Sequence, residues 1–445
     1  MESRLPGKVI YSYGLANLTV TLIMTLLTSY YAIFLTNAVM ISSVHLGVIM
    51  SITVIISMPL SGIIIQRTQM RRGKYRSWFL FMPALACLFI ILTFANLPME
   101  HSVKMVWMII TYILACLCIN FSFIAHQSFI SVSKNATERL WLSARNIQFG
   151  IIGQIIFAVA IVPLVTHFNA GGSARGYFYA ALILAIFPIL GYWNLFHQTR
   201  DYEKHDPEIN KPSNKMSIAD IFTQIFRNSQ LLLLMFADFM VFAGAAVVTA
   251  LAFYYYKYVA GGDVGWVPLL IFTLCVIGLI CYLIAPYIII KFGKKNVYMF
   301  LVSLGVLCFI YLRIFGESSP YTFKVIFYVG GILTVLLSFM RQAMYMDISE
   351  FGFYKTGKDV TAYIMSVSRI FPGIAASLAV PVITFGLKKL GFYPSMPATD
   401  QLINGLMNMI CYIPIVCCVL ALAAMSFYSL TDEKVEKIME ANSKQ

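Results

Sequence analysis

Of the 445 residues, 60% are hydrophobic and 11% charged, with a mean hydropathy of +0.80, whereas an average soluble chain is about 25% charged. This composition excludes a soluble globular domain. The formal charge of +13 comes from residues spread between apolar runs, which excludes a nucleic-acid surface as its cause.

Twelve apolar stretches long enough to cross a bilayer as helix follow one another at 9–34, 44–66, 77–97, 105–129, 141–167, 176–197, 230–256, 266–290, 297–315, 323–346, 361–386 and 401–428. They predict an all-α polytopic membrane protein with twelve transmembrane helices. The polar stretch 198–229 divides it into an N-terminal six-helix half (1–197) and a C-terminal half (230–428), and 429–445 forms a tail. Within the linker, Ser217 caps a run in which Ile218, Ile221, Phe222, Ile225 and Phe226 share one helical face, a pattern for a helix lying on the membrane surface. In the tail Thr431 caps, Asp432 and Glu433 suit the first turn, and Val435, Ile438 and Met439 form the apolar stripe.

With the N-terminus inside, 22 of the 32 basic residues fall in cytoplasmic segments and 6 in outer loops, the other four lying inside spans. The positive-inside rule therefore predicts both termini in the cytoplasm and the cell inner (plasma) membrane as the location. The nine cysteines all lie in apolar spans without a CxxC, so neither a disulfide framework, a zinc site nor another metal centre is indicated. No short apolar leader with a small-residue cleavage site opens the sequence, so the first span reads as a retained anchor.

The halves echo each other. Basic connections, RTQMRRGKYR (67–76) and KFGKKN (291–296), fall between the second and third and between the eighth and ninth spans. Arg145 and Arg369 follow the corresponding later connections. A parallel repeat of six helices is the layout of the major facilitator architecture, with substrate near the midplane.

An ionisable group at the centre of a bilayer helix costs roughly 2.5–3.5 kcal/mol on insertion scales, so each one needs a partner or a wet cavity. Arg145 and Arg369 read as substrate or gate contacts, or as structural pairs. Arg341, beside Gln342, either faces the cavity or pairs near the helix end with Asp347. Arg313 lies four residues before Glu317 and reads as an outer ion pair. Asp238 is the one carboxylate well inside a span; it fits a protonation site or a partner for an arginine. Three arginines against one embedded acid point to an anionic ligand, because a carboxylate, sulfonate or phosphate would relieve an uncompensated guanidinium. Asp347 or Glu350 could serve instead.

Segment 347–369, DISEFGFYKTGKDVTAYIMSVSR, reads as a charged loop between two spans, a gate beside a pathway, with Asp347 and Glu350 as gating or coupling residues. His126 fits a buried, hydrogen-bonded core histidine. Tyr254, Tyr255 and Tyr256, and Tyr11, Tyr13, Tyr30 and Tyr31 on the first span, read as aromatic belts. Asn17 and Thr21, one turn apart, either face a polar ligand or bond to neighbouring helices.

The stretches RTQMRRGKYRSW (67–78), TERLWLSAR (137–145), DISEFGFYKTGK (347–358), LAFYYYKYVAGG (251–262), IIKFGKKNVY (289–298) and YSLTDEKVEKI (428–438) together resemble the glycoside–pentoside–hexuronide:cation symporter family. That is the group of the melibiose and glucuronide carriers. The resemblance spans nearly the whole chain and implies alternating-access transport of a sugar or glycoside, often with a cation. By motif position it implies substrate contacts at Thr21, Arg145 and Arg369, and it places Asn120 where the family's fourth-helix acid stands. The family's paired second-helix aspartates are missing: no Asp or Glu occurs between Glu2 and Glu100, and Val54 with Met58, or Ser57 with Ser61, take their places. Sodium coupling of the melibiose type is therefore not expected, and Asp238 is a candidate relocated proton site.

The sequence is thus expected to encode a secondary transporter of a sugar derivative, by preference an anionic glycoside or hexuronide. The alternatives are a neutral glycoside or oligosaccharide symporter, or a cation-independent uniporter or exchanger. No acid, base and metal constellation marks an enzyme, no cofactor is indicated, and the expected partners are a small sugar and the lipid bilayer around a monomer. The candidate substrate residues are Asn17, Thr21, Asn120, Arg145, Arg341 and Arg369; the coupling or gating residues are Asp238, Asp347 and Glu350.

Overall fold

A computed structural model describes residues 5–37, 43–68, 70–133, 135–169, 175–202, 223, 226–259, 266–316, 320–393 and 398–442. The surface helix expected at 217–226 falls almost wholly outside them. The helices are α1 (Gly7–Asn37), α2 (Ser43–Arg67), α3 (Arg76–Thr93), α4 (His101–Ser128), α5 (Ala136–Ile156), α6 (Val162–Phe168) and α7 (Arg175–Gln198). After the linker come α8 (Ser229–Tyr254), α9 (Trp266–Phe292), α10 (Lys294–Phe315), α11 (Pro320–Thr356), α12 (Thr361–Val367), α13 (Ile370–Lys389), α14 (Asp400–Ser426) and α15 (Asp432–Asn442). Among the described residues ten helices are long and apolar enough to cross a membrane. Helix is what lipid demands, since every backbone donor and acceptor must be satisfied within the segment.

Local chemistry sets the helix ends. The Asn135 side chain accepts from Thr137 N at 2.8 Å to start α5, Asn228 accepts from Leu231 N to start α8, and Thr399 accepts from Leu402 N to start α14. Pro163 offers no N–H, and a π-turn at Phe157–Ile161 joins α5 to α6 just before it.

Two expectations change here. First, α11 does not stop at 346. Asp347–Lys355 continue as helix through Thr356, so the charged loop is mostly the last turns of α11. Nothing in that stretch breaks a helix until Gly357, whose φ of +65° ends it in the left-handed region that glycine adopts without strain. Second, the eleventh passage is broken at Ser368–Arg369, between α12 and α13. Pro372 is the cause, because it cannot donate to the carbonyl of Ser368 and its ring crowds that carbonyl.

The chain divides into two compact units. The first comprises Met1–Phe222 with Gly357–Val367. In it α1 packs on α5 and α7, α3 on α4 and α7, and α2 on α4; α12 packs on α2 and α4. Gly62 of α2 permits that last approach, since a Cβ there would stand 2.2 Å from Ser366 Oγ. The second unit comprises Thr223–Thr356 with Ser368–Gln445, where α8 packs on α13 and α14, α10 on α11 and α14, and α15 on α11.

Several quoted motif residues hold this frame. Arg76 donates to Phe196 O at the end of α7, at 2.8 and 3.2 Å, and lies over the Phe196 ring. Glu138 accepts from Leu5 N and Ser133 Oγ, and buried Arg139 donates to Ser133 O at 2.6 Å. The tyrosines depart from the belt pattern: Tyr13, Tyr31, Tyr255 and Tyr256 are buried. Tyr255 stacks on Phe323 with centroids 3.8 Å apart and donates to Gly316 O, an open carbonyl at the end of α10. Tyr31 stacks on Tyr112 and donates to Met108 O. A buried phenol is stable when its hydroxyl finds an acceptor, as both of these do. Of the seven tyrosines, Tyr30 and Tyr254 are half-buried and Tyr11 alone is more than half exposed, at 55%.

Candidate functional site

In the first unit, polar side chains of α1, α4 and α5 converge. Asn17 donates to Asn146 O at 2.6 Å, and Asn146 Oδ1 lies 3.1 Å from His126 Nε2. The His126 ring is fully buried, with its centroid 4.0 Å from that of Tyr13, and its Nδ1 has no hydrogen-bond partner among the described residues. Asn17 and Thr21 both border Gly150 of α5. This Asn17–Asn146–His126 network was not foreseen as a unit, because its members are far apart in sequence and each looks like ordinary helix polarity by itself.

Arg145, next along α5, is half-buried. Its Nη1 donates to Gln148 Oε1 at 2.6 Å and its guanidinium lies 5.4 Å from the Tyr11 ring centroid. Among the described residues no carboxylate stands within ion-pair distance of it. Asn120 belongs to a separate neutral pair, donating to Ser57 Oγ at 2.7 Å. Of the two second-helix registers weighed from sequence, this contact places the Ser57 position beside Asn120.

In the second unit Asp238 of α8 and Arg341 of α11 come together. Asp238 is 3% and Arg341 8% exposed, and Arg341 Nε lies 3.9 Å from Asp238 Oδ2. The guanidinium also covers the Phe242 ring at 4.8 Å, and the phenols of Tyr298 and Tyr345 border the carboxylate. Neither Asp238 Oδ2 nor Arg341 Nη1 has a hydrogen-bond partner among the described residues. The contact is long for a paired carboxylate and guanidinium, which bond at about 2.7–2.9 Å when fully engaged.

Arg341 is therefore not paired with Asp347. Asp347 is buried against Lys294 of α10, and Lys294 Nζ also lies 3.0 Å from Asp432 Oδ1 of the tail. Asp432 Oδ2 accepts from Lys294 N at 2.8 Å, capping α10 instead of its own helix. Glu350 accepts from Asn442 Nδ2 at 3.0 Å. Asp347 and Glu350 thus tie α11 to α15. Arg369 stands at the break before α13, half-buried. Arg313 donates to Asn404 and Asn408; its expected partner Glu317 lies outside the described residues.

The model of the family described as MFS/sugar transport protein matches residues 12–432. The chain belongs to that family. Among its relatives, the isoprimeverose transporter of Lactiplantibacillus pentosus is 24% identical over 453 residues, covering 100% of this chain and 92% of the relative. A putative sulfoquinovose importer of Escherichia coli is 27% identical over 383 residues, covering 84% and 80%. The glucuronide carrier protein homolog of the same organism is 25% identical over 391 residues, covering 85% and 82%. Among solved structures, the major facilitator transporter FucP in its outward conformation superposes with a TM-score of 0.67 at 13% identity, covering 95% of this chain and 98% of that one. That likeness carries the fold. This member of the MFS/sugar transport family is a multi-pass membrane transporter of the sugar type, with the major facilitator fold, and not an enzyme. The expected resemblance to the glycoside–pentoside–hexuronide carriers agrees with these relatives, the glucuronide carrier homolog matching 85% of this chain.

Proposed function

We propose that the chain carries an anionic sugar derivative, a glycoside bearing a carboxylate or sulfonate, and that Arg145 receives the anion. The observation that carries this reading is the setting of Arg145: a half-buried guanidinium supported by an amide and an aromatic face, with no carboxylate at ion-pair distance among the described residues. Such a group gains most from an anion that accepts two parallel hydrogen bonds. Relatives named for sulfoquinovose and glucuronide transport support the charge; relatives named for isoprimeverose and lactose support only the sugar.

The second unit adds a coupling step to the proposal. Arg341 is Asp238's counter-charge, held at 3.9 Å. Within this unit, any movement that draws Arg341 away from Asp238 leaves that carboxylate uncompensated, and a buried carboxylate in that state is held at least cost as the neutral acid. Asp238 would then carry one proton in the transport cycle.

Uptake of labelled glucuronide and of its neutral glucoside into proteoliposomes, with and without a pH gradient, tests both parts. Arg145→Ala is expected to lower glucuronide uptake at subsaturating concentration about 10- to 100-fold, the worth of one charge-assisted contact, with Arg145→Lys recovering part of it. Equal loss of neutral and anionic uptake would overturn the anionic assignment. Asp238→Asn is expected to abolish accumulation driven by the pH gradient while leaving counterflow exchange; full proton-driven accumulation in that variant would remove Asp238 from the coupling.

A further inference from the structure

On the second unit, α9, α10 and α11 enclose a groove of 420 Å³. Its floor is apolar and buried, formed by Ala285, Ile289 and Leu301. Its rim is apolar and open: Ile288, Phe292 and Phe300 are 44%, 55% and 65% exposed. The exposed faces of α9 and α10 continue the same chemistry through Ile280, Ile284, Leu307 and Ile314. In a membrane-spanning chain such a face meets hydrocarbon, so the groove opens onto the bilayer.

One end of the groove is polar. Asn296 lines it, and the Lys291 ammonium stands 5.3 Å from the centroid of the rim residue Phe292. The three lysines of this connection differ in what they hold. Lys294 is committed to Asp347 and Asp432, and Lys295 to the carbonyls of Ser426 and Tyr428. Lys291 is exposed and faces only the Phe292 ring, with no anion beside it among the described residues.

We propose that this groove is a binding site for an anionic phospholipid, its phosphate at Lys291 and Asn296 and one acyl chain along the Ala285–Leu301 floor. The chain supplies a cation at the headgroup level and an apolar trough directly below it, which is the pairing a single phospholipid presents. A zwitterionic lipid also brings a phosphate to Lys291, but its own cation offsets part of that attraction, which a net anionic headgroup keeps whole. Net charge, more than chain packing, therefore selects the lipid.

Native mass spectrometry of the full chain, purified in mild detergent and exposed to equal phosphatidylglycerol and phosphatidylcholine, reads the site directly. A one-lipid adduct with phosphatidylglycerol favoured is expected. Lys291→Gln lowers that preference about fivefold, the share of one surface cation. Ile288→Trp, which fills the trough from its exposed rim, removes the adduct without moving the unfolding temperature in lipid-free detergent. Equal retention of both lipids, persistence of the phosphatidylglycerol adduct in both variants, or a doubled mass showing that a second copy covers this face would each overturn the proposal.

Discussion

Asp359 sits in the short connection between α11 and α12, where burial raises its pKa, yet Lys74 at 2.7 Å and the Thr361 amide at 2.9 Å more than offset that. The carboxyl is held down at about 2. A depressed carboxyl contributes its stabilisation above the ordinary carboxylate range near ~4, and loses it as pH falls toward its own pKa. From pH 5 to 8 Asp359 is therefore constantly ionised. With both partners part-exposed, the Lys74–Asp359 pair is worth well under ~1 kcal/mol after solvent screening. Asp359→Asn should leave the shape of the uptake-against-pH curve over that range unchanged, as measured in proteoliposomes; a shifted midpoint would place Asp359 in the proton path. At this scale the sequence makes single ionisable residues inside apolar runs conspicuous, so Arg145, Arg341 and Asp238 are legible. Their partners are not, because Asp238 with Arg341 and Asp347 with Lys294 close over long separations that no local pattern records. The tyrosines show the opposite failure: a position at the end of a span fits a belt, while the carbonyl that draws Tyr255 inward lies on another helix.

Among the elements, the interruption at Ser368–Arg369 stands out because it separates α12, packed on α2 and α4, from α13, packed on α8. Hydropathy treats 361–386 as one span, and the proline that splits it looks like many others. Pro83, Pro188, Pro286 and Pro414 lie within unbroken helices, so a proline alone does not announce a break. Pro372→Ala restores the missing donor to the Ser368 carbonyl and is expected to change the unfolding temperature of the purified chain little, since first-turn proline costs far less than the about 3 kcal/mol of an interior one. It is also expected to slow substrate turnover by stiffening the junction. A variant with faster uptake would show that the break is not used as a joint. The charged stretch 347–358 illustrates a related point. Its acids and lysines suggest a loop, but helix propensity is not lost until Gly357; the exposed end of α11 carries Lys355, while buried Asp347 is neutralised by Lys294.

For the molecule as a whole, the all-α membrane fold was readable, because the bilayer demands long apolar helices, whereas the end of α11 and the break between α12 and α13 were not. Orientation rests on the distribution of lysine and arginine alone. A fluorescent reporter fused after Gln445 should be bright and a periplasmic-type enzyme reporter at the same place inactive; the reverse pattern would invert the topology. What sequence did not reveal is membership. Chain order assigns 361–367 to the later half, whereas its packing assigns it to the first unit, a property of tertiary contact that strictly consecutive reading misses.

The contact between Lys294 and Asp432 also bears on biogenesis. The tail carboxylate that caps α10 and shares the Lys294 charge is made 138 residues later than its partner. During synthesis, α10 enters the membrane with its first amide uncapped and both counter-ions of Lys294, Asp347 and Asp432, still to come. The second unit thus acquires its electrostatic closure only once α15 has been made, and a chain stopped short of α15 would carry an uncapped helix start beside a buried lysine with one counter-ion fewer.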